Sequence, residues 1–253
     1  MSCTIQNSWG LSTRTIGALV MIHGDDQGLV LPPRVARIQV VVLVVGVTGS
    51  TTAQEKEKLV AAAQGILEAC QKAGVRAHLD DRDNYTAGWK FNHWELKGVP
   101  LRVEVGPKDV AAKQVTVVTR YDGTRSTTPS GEGLGAALHE RLEAVQAAMF
   151  NKAKAQRDTH LKQVRTLAEL RPLLDERCIV LAPFCGRPDC EDKVKKDSAS
   201  EAPTEGAEAG IAVMGAKTLC IPVEQPQEPV GDKCLHPACT EKPQFWALWG
   251  RSY

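Results

Sequence analysis

Apolar residues recur along this chain in two rhythms, and their alternation sets the expected architecture. Ile38-Gln39-Val40-Val41-Val42-Leu43-Val44-Val45 is a β-branched run of the kind that fills a parallel strand buried on both faces. Leu59, Val60, Ala63, Ile66, Leu67 and Cys70 then fall on one face of a helix that starts near Ala53 and stops at Gly74. Thr52 and Glu55 have the spacing of a capping box, in which each side chain satisfies an orphan amide at the helix start. Shorter strands are predicted at Val75 to Leu79, Leu101 to Val105 and Gln114 to Thr119, with a helix near Phe91 to Lys97 and a turn at Asp122-Gly123. From Gly133 onward, Leu134, Leu138, Leu142, Val145 and Met149 mark a long amphipathic helix. Strands alternating with helices predict a βαβ-type parallel or mixed sheet.

The two ends read differently. Residues 1–36 are Gly-rich and apolar, with Gln6 to Gly17 predicted as a strand and turn, and Pro32-Pro33 places a domain boundary just after them. Toward the other end, a charged helical stretch runs to about Glu176 and leads into a strand at Cys178 to Leu181. Lys193 to Gly210 is acidic, rich in Ala, Ser and Pro, and poor in large apolar groups, which predicts a disordered insertion at 193–210. No internal repeat is present.

Composition narrows the function classes. Among 253 residues, 43% are hydrophobic and 24% charged, which is ordinary for a globular chain. The formal net charge of +1 gives no whole-chain attraction to nucleic acid, so any RNA-binding surface must be local. The longest apolar run, Ile38 to Val45, is too short to cross a bilayer, and Met1 to Gly10 lacks the basic start and apolar core of a signal peptide. Eight cysteines without such a signal point to a reducing, cytoplasmic setting, where clustered thiols hold metal more often than they form disulfides.

Four of those cysteines are paired in sequence: Cys185 with Cys190 and Cys234 with Cys239, each as Cys-x4-Cys. Two short thiolate-bearing loops can supply the four soft ligands that zinc takes in a tetrahedron. Pro183, Gly186 and Pro188 suit tight turns at the first pair, and Gly231 and Pro237 bracket the second. Four protein ligands leave no open position for water, so the expected ion is structural. The competing readings are four ordinary free thiols, or His236 in place of one late cysteine. Cys3, Cys70, Cys178 and Cys220 read as buried core cysteines.

Two polar segments carry the remaining chemistry. In the first, Trp9, Ser12 and Arg14 lie within Gln6 to Gly17. Taken alone, Arg14 is either an ordinary surface residue or a planar cation that stacks on a purine and pairs with phosphate. The second, Arg82 to Lys97, interleaves the cations Arg82, Lys90 and Lys97 with Tyr85, Trp89, Phe91 and Trp94. Aromatics that stack on splayed bases, with cations on the backbone, are how single-stranded RNA is held; the alternative is a solvated, partly packed aromatic helix. Arg102, Glu104, Lys108 and Asp109 around Gly106-Pro107 read as a structural ion-pair network, and Gly46 to Ser50 as an ordinary turn between strand and helix.

These segments resemble the eukaryote/archaeon-type, class II prolyl-tRNA synthetases. The resemblance rests on Asn7 to Val35 with Ser12-Thr13-Arg14, His23-Gly24-Asp25 and Gly28 to Pro33, which look like motif 3 of that family. It extends through Asp80 to Tyr85 and Gly88 to Pro100, and to the terminal Gly250-Arg251-Ser252-Tyr253. It implies a fragment of the class II antiparallel sheet over residues 1–36. A mixed five-stranded α/β anticodon-binding domain would follow over 37–150, and a small α+β zinc-binding domain over 151–253.

The same resemblance implies a proline–tRNA ligase that activates proline with ATP and magnesium and transfers it to proline tRNA. Arg14 and Ser12 would then contact ATP and Trp9 the proline pocket. Arg82, Lys90, Phe91, Glu95 and Lys97 would contact the anticodon, with Glu95 accepting from the N1 and N2 groups of a guanine. The family is usually a homodimer, and its terminal tyrosine docks back on the catalytic domain. Motifs 1 and 2, with a second ATP-binding arginine, have no counterpart in this chain, so it is expected to be inactive alone. A stand-alone tRNA-binding module is the alternative, and a zinc-stabilised interaction protein a third possibility.

Overall fold

The strand and turn expected over Gln6 to Gly17 give way to a helix at their end: residues 8–12 hold no strand, and α1 spans Arg14–His23 and buries none of its residues. Among the described residues no strand lies beside it, so its backbone groups are satisfied within the helix rather than across a ladder. The computed structural model describes residues 8–49, 51–199 and 214–251. Cys3, Gln6, Asn7, Ser50, residues 200–210 of the predicted insertion, and Ser252-Tyr253 lie outside them.

The chain folds as two compact units, Met1–Ala153 and Lys154–Tyr253. In the first, the valine run forms β1 (Val40–Val44), and Thr52 and Glu55 close the expected capping box on α2 (Ala53–Lys72). Next come β2 (Ala77–Asp80), α3 (Ala87–Leu96), β3 (Leu101–Val105), α4 (Pro107–Ala111), β4 (Gln114–Thr119), β5 (Arg125–Pro129) and α5 (Leu134–Thr159). The sheet order is β2-β1-β3-β4-β5. β1 runs parallel to β2 and β3, while β4 is antiparallel to both β3 and β5, so the five-stranded sheet is mixed.

β1 is covered on both faces, as its unbroken apolar character requires. Val40 and Val42 pack with Ala63, Ile66 and Cys70 of α2 and with Leu134, Leu138 and Leu142 of α5. Val41 and Leu43 pack on the other face with Trp94 and Val99. α2 and α3 therefore cover opposite faces, and the long side chains of α3 project from the second.

Residues 25–36 are pinned to this sheet layer. Leu29 N–H donates to the Leu96 carbonyl at 3.1 Å and Leu31 N–H to the Gly98 carbonyl at 3.2 Å. The backbones approach so closely that a Cβ on Gly98, at φ 69°, would stand 2.6 Å from the Leu29 carbonyl oxygen. Arg76 holds the Pro-Pro bend by donating to the carbonyls of Pro33, Arg34 and Ala36.

The second unit contains β6 (Leu161–Gln163), α6 (Leu167–Asp175), β7 (Ile179–Phe184), α7 (Pro188–Ser198), β8 (Lys217–Cys220) and β9 (Phe245–Gly250). Its sheet order is β6-β7-β9-β8. α7 corrects the start of the predicted insertion: 193–198 is helical, because Cys190, Val194 and Ser198 share one buried face four residues apart. Cys220 is exposed rather than buried, since the register slips between Thr218 and Cys220 on edge strand β8.

Candidate nucleic-acid interface and metal centre

Helix α3 is built around a buried charge. Thr86 caps it by accepting from Trp89 N–H at 3.3 Å. Lys90 and Trp94, four residues apart, point inward. Asp80, at the end of β2, receives two bonds from Arg82 at 2.8 and 2.6 Å and one from the Trp94 indole at 2.8 Å. The Lys90 ammonium lies 3.7 Å from the same carboxylate and donates to the Asp80 carbonyl at 3.1 Å. Burial alone would raise the Asp80 pKa, but the bonds from Arg82 and Trp94 and the charge of Lys90 hold it well below the usual carboxylate range. Lys90 is thus an internal counter-charge, which corrects its sequence reading as a cation for the RNA backbone: helical periodicity turned it to the sheet.

Phe91 and Glu95 occupy another flank of α3, opposite β3. Arg102 Nη1 donates to the Glu95 carboxylate at 2.5 Å, its Nε donates to Glu104 at 3.0 Å, and its guanidinium sits 4.2 Å from the Phe91 ring centroid. Arg125 donates to the other oxygen of Glu104. Of the ion-pair network expected at this strand end, the Arg102–Glu104 pair forms, and Arg102 also grips Glu95. Asp109 instead accepts from Gly106 N–H at the start of α4.

Glu95 and Arg102 line a cavity of about 260 Å³ together with Asp25, Arg120, Thr119 and Tyr121. Arg120 Nε donates to the Glu95 carbonyl at 3.0 Å, and its two terminal nitrogens donate to Asp25 at 2.7 and 2.6 Å. Sequence reading assigned no role to Asp25 or Arg120, which lie 95 positions apart; no local spacing signals such a pair.

A third flank of α3 carries an aromatic ladder. Tyr85 and Trp89 stack at 3.9 Å, Trp89 and His93 at 4.8 Å, and Arg82 lies 5.0 Å from the Tyr85 ring. Burial, followed by the charges of Lys97 and Arg82, lowers the His93 pKa. Lys97 lies over Trp94 at 5.1 Å and remains exposed. Of the five residues read as anticodon contacts, Phe91 and Glu95 are brought together by Arg102, Arg82 is half-buried against Asp80 before the start of α3, Lys97 is exposed at its far end, and Lys90 is buried.

Trp9 is 97% exposed, and Ser12 and Arg14 are also on the surface. Among the described residues this stretch is engaged through backbone hydrogen bonds, the Ser12 carbonyl accepting from Thr15 N–H at 3.1 Å. The structure does not gather these three residues into a pocket.

The four paired cysteines do converge. Their sulfurs all lie within 4.8 Å of one another, with Cys190–Cys234 and Cys185–Cys239 each at 3.7 Å. A tetrahedron with metal–sulfur bonds of about 2.3 Å has edges of about 3.8 Å, so the arrangement fits a four-thiolate site. His236 is not part of it: Nε2 meets Asp197 at 2.9 Å and Nδ1 accepts from Ala238 N–H at 3.1 Å. Burial pushes the Cys234 thiol up to about 11 and Cys190 in the same direction. A bound cation reverses that preference by stabilising the thiolates.

The chain is similar to known proteins. The family model for the prolyl-tRNA synthetase C-terminal region matches residues 167–253, and that for the anticodon binding domain matches residues 39–139. A bifunctional glutamate/proline–tRNA ligase of Drosophila melanogaster is 48% identical over 98% of this chain, which spans 14% of that protein. The cytoplasmic proline–tRNA ligase of Arabidopsis thaliana is 43% identical over 98% of the chain, spanning 43% of its length. The crystal structure of prolyl-tRNA synthetase from Cryptosporidium parvum, complexed with L-proline and AMP, superposes with a TM-score of 0.77 at 37% identity. The overlap covers 97% of this chain and 47% of that one, so the chain spans less than half of each of these three proteins. Two separate family-model matches and near-complete coverage by such relatives place the chain in the prolyl-tRNA synthetase family, as its carboxy-terminal, anticodon-binding portion.

Proposed function

We propose that this chain supplies the tRNA-gripping portion of a proline–tRNA ligase and reads an anticodon guanine at the cavity of Glu95 and Arg102. The observation that carries this reading is a carboxylate and a guanidinium on one cavity wall, with Phe91 beneath the guanidinium. Guanine offers donors at N1 and N2 to a carboxylate and acceptors at O6 and N7 to an arginine, so the pair matches that base. Arg82 and Lys97 take the flanking phosphates.

The test is binding of a hairpin RNA whose loop carries the proline anticodon. Glu95→Gln or Phe91→Ala should weaken it by about tenfold or more, whereas Lys56→Ala with Lys58→Ala should change it little. Equal losses in both sets would refute the site.

In the complete ligase, residues 1–36 contribute one wall of the adenylate-forming site, with Arg14 and Ser12 toward ATP and its magnesium and Trp9 toward proline. Their exposure leaves them open to such partners. Residues 37–150 form the anticodon-binding domain, and 151–253 the terminal domain held by a structural zinc on Cys185, Cys190, Cys234 and Cys239. The cytoplasmic Arabidopsis relative favours a cytoplasmic setting, and a homodimer is the assembly proposed for the complete enzyme. No helix among the described residues is long and apolar enough to cross a membrane. A stand-alone tRNA-binding module is the second reading, favoured by the dispersal of Trp9, Ser12 and Arg14 over open surface.

A further inference from the structure

We propose that Asp25 and Arg120 are positioning residues for base discrimination: they fix the end of α3 so that the Glu95 carboxylate meets guanine in register. The proposal rests on the anticodon reading above and deepens it. Glu95 is held at two points. Its side chain is held by Arg102, and its carbonyl is held by Arg120 Nε at 3.0 Å. The second grip is rigid because the remaining fork of Arg120 is spent on Asp25, at 2.7 and 2.6 Å. Arg120 is 5% exposed at its side chain, so the guanidinium has little freedom to reorient. Planar, bidentate geometry of this kind belongs to arginine and is not reproduced by lysine.

Asp25 is fixed in turn. Its N–H and C=O bond both ways with Gly28 at 3.1 Å, and its carboxylate accepts from Gln27 N–H at 2.9 Å. The same turn continues into Leu29, whose N–H bonds to the carbonyl of Leu96, next to Glu95. Gly28 lets the two backbones touch, since a Cβ there would lie 2.9 Å from the Leu96 Cα. The recognition cavity is therefore completed by a turn that precedes the α/β domain in sequence. Asp25 and Arg120 line the cavity as supports rather than readers: both terminal nitrogens of Arg120 donate to Asp25, and its Nε donates to the Glu95 carbonyl.

The experiment uses the full chain and two hairpin RNAs that differ only by guanine or inosine at an anticodon guanine position. Inosine lacks the 2-amino group, so a correctly placed Glu95 prefers guanine, by about tenfold for one bond to a charged acceptor. Glu95→Gln should abolish that preference. Asp25→Asn and Arg120→Lys should cut it to about threefold or less while leaving inosine binding nearly unchanged, and Asp25→Glu should restore part of it. A merely structural role would lower both affinities equally. If Asp25→Asn keeps the wild-type ratio while Glu95→Gln loses it, the positioning role is overturned and the anticodon reading stands. If wild type binds neither RNA, or Glu95→Gln keeps the preference, the anticodon reading itself fails. Asp25 is 44% exposed at its side chain, so its variants test position rather than folding.

Discussion

The indole N–H of Trp94 donates to the Asp80 carboxylate across 2.8 Å, closing a charge centre in which the Asp80 side chain has no exposed surface. Removing the carboxylate by Asp80→Ala leaves the Lys90 ammonium and the indole N–H buried without their partner. Breaking a buried pair in this way costs about 3–5 kcal/mol, against the smaller cost of an exposed pair. Urea unfolding of Asp80→Ala should show that loss, and Lys56→Ala, which breaks only the exposed pair with Asp83, should fall within about 0.5 kcal/mol of wild type. Similar midpoints for the two variants would contradict the account of α3.

Metal removal tests the four-sulfur site. Purified chain should carry about one equivalent of zinc, and Cys185→Ser or Cys234→Ser should carry none or bind it far more weakly. A strong chelator should lower the melting midpoint of the wild type and leave that of Cys185→Ser unmoved. His236→Ala should keep its zinc, because both ring nitrogens are already engaged elsewhere. Loss of zinc from that variant would place the histidine in the ligand set.

Acid should release the Asp25–Arg120 pair in a definite window. The bonds from Arg120 hold Asp25 at about 2, below its ordinary 3.8. A depressed folded-state pKa means that the unfolded chain takes up the proton first as pH falls. The contribution is therefore complete above about pH 4 and disappears as pH drops toward 2. The melting midpoint of Asp25→Asn should lie below wild type at pH 7, and the gap should close near pH 2. Any acid loss of zinc affects both proteins and cancels in the comparison. A gap that widens with acid would show the sign to be wrong.

Gly98→Ala probes the contact between the first segment and α3. At φ 69° an L side chain is strained by about 1–2 kcal/mol. Its methyl would also meet the Leu29 carbonyl group at 2.6–2.7 Å. The variant should unfold earlier in urea, with faster amide exchange at Leu31, whose N–H bonds to the Gly98 carbonyl. Gly65→Ala, with nothing within 4 Å of its added methyl, should instead be neutral or stabilising.

Four of the five strands of the first unit were legible in the sequence because their signals are local; β5 (Arg125–Pro129), polar apart from its terminal proline, gives no apolar rhythm to read. An eight-residue apolar run, a Thr52–Glu55 box and a four-residue leucine rhythm each report their own conformation. The cysteine site was legible because two matching pairs limit the geometry, although only the folded chain removes His236 from it. What escaped depends on partners distant in the chain. Over Gln6 to Gly17 the composition suggests strand and turn, yet it carries no information about whether a neighbouring strand is present to pair with it, and from Arg14 the chain is helical. Lys90 was read as surface, although it stands four residues before Trp94 on the buried stripe. The periodicity was there, but charge was weighed above it. Asp25–Arg120 had no signal as a pair, since nothing local links positions 95 residues apart until the fold brings them together.

The four sulfurs also bear on how this chain can vary in length. Cys190 and Cys234 are 44 positions apart, yet their sulfurs stand 3.7 Å from each other. Once an ion clamps those ends, closure entropy grows only with the logarithm of what lies between. Doubling that stretch costs about 0.6 kcal/mol, less than a single typical surface hydrogen bond contributes. Relatives should therefore differ in length between α7 and β8, and a tag or a small domain spliced between those two packed elements should leave the terminal fold standing.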